Sequence, residues 1–97
     1  MNFEIAPKET EIQANWDDAR LYCFSLDIDG KVGWRLPTRE ELNEIYESDN
    51  DFEERWYWSS TEGNGNDAWS QGMYSGYQAN DSKNYGGTYV RAIRSTI

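Results

Sequence analysis

Residues 71–85 concentrate contact chemistry: Tyr74, Tyr77, Gln78, Asn80, Asn84 and Tyr85, spaced by Gly72 and Gly76. Tyr offers large contact area at low entropic cost, and Asn, Ser and Gly adapt their hydrogen bonds, so this mixture suits a recognition loop. A turn-rich end of a β-sheet has the same composition, and the residues alone leave both readings open. The loop-forming stretch EGNGND adds Asn64 and Asn66. In RWYWSST, alternation lets one of Trp56 and Trp58 face outward, and Trp58 is assigned to that surface.

Other chemistries are less well supplied. Asp49, Asp51, Glu53 and Glu54 are spaced so that their oxygens could gather around a hard cation. No glycine stands at the turn position and no EF-hand pattern is present, so a solvated acidic loop is expected and no metal or cofactor. Asp27-Ile28-Asp29-Gly30 is weaker still. There is no histidine for acid–base work near neutral pH. Cys23, without a His or a second Cys, has no activating partner. Paired carboxylates can hydrolyse glycosides, but these acids fall on helices and a loop and frame no evident cleft. A non-enzymatic protein is expected. Arg35, between large apolar residues, is expected to be structural, held by carbonyls or an acid. Cys23 is expected to be a small buried hydrophobe.

The element at the centre of this layout is GWRLPTREEL, residues 33–42. Pro37 fixes its own φ and pushes Leu36 toward extended geometry. Thr38 and Glu41 form a capping-box pattern, and Leu42, Ile45 and Tyr46 follow on one stripe, predicting a helix over 39–47. Earlier, Asn15 is a good N-cap with Asp17 and Asp18 behind it. Ala19, Tyr22, Cys23 and Leu26 recur at helical spacing, predicting a helix over 16–26. Strands are predicted at 3–5, 56–60, 68–73, 77–79 and 89–93. Residues 8–14, 62–67 and 80–87 read as connections, and 74–76 as a turn. Helices early and strands late make an α+β domain, one unit over 1–97.

The apolar fraction is 37%, but aromatics reach 15%, so Trp and Tyr must supply much of the burial. The net charge is −9 and uneven: residues 1–55 hold fifteen acids and six bases, whereas 56–97 hold three of each. Naked nucleic acid is therefore not an expected partner, since no basic patch would displace its counterions. One cysteine excludes an intrachain disulfide. No apolar run suits membrane insertion, and MNFEIAPKE does not resemble a signal peptide. A cytoplasmic home, or assembly into a phage particle, is expected. Nothing demands a particular oligomeric state.

The order WDDARLYC, GWRLPTREEL, YWSST, AW and YVRAIR resembles the DUF1566 family, also called the Lcl C-terminal domain, over about residues 15–94. The resemblance implies a C-type-lectin-like fold, akin to the formylglycine-generating enzymes and to the variable proteins of diversity-generating retroelements. Such a fold has paired terminal strands and two helices packed on a small twisted antiparallel sheet. It implies that residues 71–85 occupy the region where retroelement relatives place their variable binding residues. Relatives commonly carry a cysteine at the position of Ala92, bridged to the one matching Cys23; that bridge is lost here. A disulfide contributes roughly 2–4 kcal/mol, and its loss matters less in a reducing compartment. EPN, QPD and WND tripeptides are absent, so calcium-dependent sugar binding is not expected.

Together these features predict a binding module for a protein or cell-surface glycan, encoded by a bacterium or phage. Its surface would comprise 62–67 and 74–85, carrying Asn64, Asn66, Tyr74, Tyr77, Gln78, Asn80, Asn84 and Tyr85 beside Trp58. The alternative is an acidic inhibitor that fills the basic groove of a nucleic-acid enzyme with residues 40–54. The first reading predicts weak salt dependence and the second a steep one.

Overall fold

The computed structural model describes residues 1–97. In chain order the elements are β1 (Phe3–Ile5), a 3-10 turn (Lys8–Thr10), β2 (Ile12–Gln13), α1 (Trp16–Ser25), β3 (Trp34–Arg35) and α2 (Arg39–Tyr46). There follow β4 (Trp56–Glu62), β5 (Asp67–Gly72), β6 (Gln78–Ser82), β7 (Tyr89–Val90) and β8 (Ile93–Ser95). A three-stranded sheet has the order β1-β8-β3, and a five-stranded sheet the order β2-β7-β4-β5-β6. The terminal strands pair antiparallel, Phe3 opposite Ser95. The fold is α+β and compatible with the C-type-lectin-like plan. No helix is long and apolar enough to cross a membrane.

Both helices start where their caps predict. Asn15 Oδ1 accepts the Asp18 N–H at 2.9 Å. Thr38 and Glu41 close the capping box, with the Glu41 carboxylate accepting the Thr38 N–H at 2.8 Å. The five-stranded sheet lies between the helices. Successive residues of β4 point to opposite faces: Trp58 joins the α1 core of Trp16, Ala19, Cys23 and Val90, while Tyr57 joins the α2 core of Leu42, Ile45 and Ile93. Cys23 and Ala92, both buried, share the α1 core.

Tertiary pairing changes several expected elements. The 8–14 connection contains β2, because Ile12 and Gln13 pair with Val90 and Tyr89 at the far end of the chain. The single closing strand over 89–93 is divided between the two sheets as β7 and β8, and β7 meets β4 in parallel at Tyr57 and Tyr89. The β-structure is thus two sheets with one parallel contact. β6 runs on through Asn80, Asp81 and Ser82, which have weak strand propensity but pair with Trp69, Ala68 and Asp67 of β5.

β4 also exceeds its expected length and carries a bulge between Trp58 and Glu62. The irregular backbone is satisfied elsewhere: the Ser60 N–H donates to the Pro37 carbonyl at 2.8 Å, and the Thr61 N–H to Ser59 Oγ at 3.1 Å. Thr61 Oγ1 in turn accepts the Arg39 N–H at 3.0 Å. The bulge therefore holds the first turn of α2 against the sheet, joining the YWSST and GWRLPTREEL segments.

Candidate ligand-binding groove

α1 covers only part of its face of the sheet. Beyond Trp58, Ala68 and Val90, the same face continues through Trp56, Ser70, Ala79 and Asp81, and no helix covers it. These residues, with Tyr85, Gly87 and Thr88 on one side and Arg55 and Tyr89 at an end, line a groove of about 450 Å³.

Trp56 lies opposite Gly72 on β5. A Cβ on Gly72 would stand 3.3 Å from the Trp56 ring and 2.9 Å from the Tyr74 ring, so the glycine admits both aromatics. Tyr74 and Tyr77 meet Trp56 edge-to-face, with centroids 6.1 and 6.3 Å away, a favourable arrangement of aromatic quadrupoles. Tyr74, Tyr77 and Tyr85 are each more than half exposed. The Tyr85 ring packs on Gly87, where a side chain would collide with it. The Arg55 guanidinium lies 4.6 Å over the Tyr89 ring and donates to its hydroxyl. Thr88 is 1% exposed, and its Oγ1 is the one buried side-chain polar atom with no hydrogen-bond partner. An unsatisfied buried hydroxyl costs about 1–3 kcal/mol.

The structure divides the nine residues expected to bind. Tyr85 lines the groove, while Tyr74 and Tyr77 touch it only through the Trp56 ring. Trp58 does not: it is fully buried, its indole N–H donating to the Ala14 carbonyl at 2.9 Å, and Trp56 is the tryptophan at the surface. Strand alternation turns Gln78 and Asn80 to the α2 side. Gln78 Oε1 accepts Arg39 Nε and Nη2 at 2.9 and 2.7 Å, and its amide donates to the Arg39 carbonyl and to Gln71. Gln78 thus ties α2 to β6 and does not line the groove. Asn80 packs against Gly63. Asn64 and Asn66 are exposed in the loop at the other end of β5, where their carbonyls accept the Asp67 and Lys83 N–H groups. Asn84 is exposed in the turn after β6.

Several of the remaining chemical groups are engaged. Asp51 pairs with Arg91 at 2.6 Å and Glu53 with Lys8 at 2.8 Å; the lysine holds the Glu53 carboxyl below its ordinary range. No three His, Cys, Asp or Glu side chains converge. Burial pushes the Cys23 thiol up to about 12, which keeps it protonated and unreactive. Arg35 is half-exposed and forms a bidentate pair with Glu41 at 2.7 and 2.9 Å, so its partner is an acid as the sequence suggests. The deeply buried cation is Arg91, 3% exposed, which donates to the Ala6 carbonyl and to the Glu11 and Asp51 carboxylates. Sequence reasoning missed it because its three partners come from distant segments. A second hollow of about 610 Å³ lies outside α1, lined by Arg20, Leu21, Phe24 and Trp34. It contains no buried unsatisfied polar atom and is shaped by exposed helix side chains.

Two helices enclosing a sheet, with paired termini and an aromatic groove on the uncovered face, define an α+β domain. The sequence matches the Lcl C-terminal domain family over residues 4–94, and the chain belongs to that family. No curated protein matches it.

Proposed function

We propose that the domain is a non-enzymatic binding module whose ligand, a protein or cell-surface glycan, seats in the groove beside Trp56. The observation that supports this most is the half-covered sheet face. Trp56, half-buried, and Tyr85 line one concavity, and the exposed Tyr74 and Tyr77 pack on the Trp56 ring. Small ligands favour largely apolar, preformed concavities with a few polar groups, and this groove fits that description. The lack of histidine and the buried thiol support a non-catalytic role. The inhibitor alternative draws less support, because two of its four loop acids, Asp51 and Glu53, pair with Arg91 and Lys8, leaving Asp49 and Glu54 exposed.

Capture on the immobilised domain tests this reading, using bacterial envelope and lysate fractions at low and high salt. Wild type would run beside a Trp56/Tyr77/Tyr85→Ala variant and an Asn64/Asn66→Ala variant. The expected result is salt-tolerant capture that is lost only in the aromatic variant. Capture that survives in the aromatic variant, or that disappears with salt, would overturn it.

A further inference from the structure

We propose that the groove takes a neutral sugar ring, a hexopyranose whose C–H face stacks on the Trp56 indole and whose hydroxyls reach Asp81. This rests on the groove being the binding surface, and it names the ligand class.

Charge is the first ground. The groove is lined by one cation, Arg55, and one carboxylate, Asp81, although the whole chain carries −9. Arg55 is already held on the ring and hydroxyl of Tyr89. A groove for a basic peptide would concentrate acids, and one for phosphate or sulfate would concentrate cations. This one does neither.

Shape is the second. Ser70, Ala79 and Gly87 are small, so the groove is open above a rigid strand floor. The edge-to-face contacts from Tyr74 and Tyr77 fix the Trp56 ring plane. An aromatic face carries partial negative charge, and the C–H groups on one side of a pyranose are weakly positive.

Unmet polarity is the third. Asp81 uses one oxygen on the Ser82 N–H at 3.0 Å and has the other free. Sugar hydroxyls donate, so the edge of a ring can serve that carboxylate. An apolar peptide side chain would cover the carboxylate and leave it unsatisfied.

The test is a two-dimensional NMR titration of the full chain in EDTA. The probes are methyl glucoside, mannoside, galactoside and N-acetylglucosaminide, with tri-arginine and sodium sulfate as charged comparators. The expected result is saturable shifts with at least one glycoside at the Trp56 indole and the Gly72 and Gly87 amides, absent in Trp56→Ala. Asp81→Asn should weaken binding by about tenfold while melting like wild type, which separates a ligand role from a structural one. Three results would overturn the proposal: no glycoside shifts the groove, a charged comparator binds there instead, or Trp56→Ala binds like wild type. If glycosides fail while the aromatic variant still loses capture, the groove stands and the sugar falls. If both fail, the groove reading falls too.

Discussion

At the residue scale, Glu41 does two tasks with one carboxylate. It closes the capping box on Thr38 and receives both guanidinium nitrogens of Arg35. The Arg35 hydrogen bonds are the main cause holding its carboxyl below the ordinary 4.5. The folded state therefore binds that proton more weakly than the unfolded chain. The stabilisation is present above about pH 4.5 and is lost as pH falls through the lowered folded value. Urea unfolding of Glu41→Gln should show lower stability at pH 7 and a shallower decline in acid than wild type. Cys23 gives a second expectation at this scale. With its thiol buried and raised to about 12, alkylation should proceed only as fast as the protein opens, and mild denaturant should accelerate it steeply. Labelling at the native rate of an exposed thiol would contradict the buried placement.

At the element scale, α2 is held at both ends of its first turn, by its own cap and by the β4 bulge. Thr38→Ala removes the side-chain acceptor for the Glu41 N–H and should cost about 1 kcal/mol in chemical denaturation. The other sensitive contact is between strands. Gly72 lets Trp56 and Tyr74 pack across β5. Gly72→Ala should destabilise by about 1–3 kcal/mol through overpacking, and tryptophan fluorescence should report a displaced Trp56. Because Gly72 contributes no side chain to the groove, such a variant tests whether groove shape governs binding without removing any contacting group.

At the scale of the whole molecule, Arg91 joins three remote segments. It donates to the Ala6 carbonyl beside β1, to Glu11 before β2, and to Asp51 in the acidic loop, with its guanidinium 4.8 Å from the Phe52 ring. Arg91→Met should leave Glu11, whose side chain is 9% exposed, without its cation, and should cost about 3–5 kcal/mol. Asp51→Asn should cost no more than about 1 kcal/mol, since that carboxylate is 62% exposed. The two tryptophans of β4 should differ in the same way. Trp58→Ala opens a fully buried site and should cost about 3–5 kcal/mol, while Trp56→Ala should spare the fold and alter only the groove. Equal losses of stability from both would contradict the assignment of Trp56 to the surface.

Both helices, the capping box and the α+β class were legible in the amino-acid order, because caps and helical stripes depend on residues three or four apart. Arg35 was legible only as a group held by carbonyls or an acid, since Glu41 lies six residues away. Tyr74, Tyr77 and Tyr85 stand out by type and spacing, and the fold leaves them exposed. Alternation alone left Trp56 and Trp58 equivalent; α1 covers one and not the other, and that depends on where a helix forty residues away comes to rest. Gln78 read as a contact residue until the register of β6 turned it toward Arg39. The division of the last strand, the extension of β6 and the burial of Arg91 likewise depend on partners distant in sequence. Local order specifies the pieces through short-range hydrogen bonds and periodicity. Which face is covered, and so which aromatics stay exposed, is decided only when long-range packing chooses the neighbours.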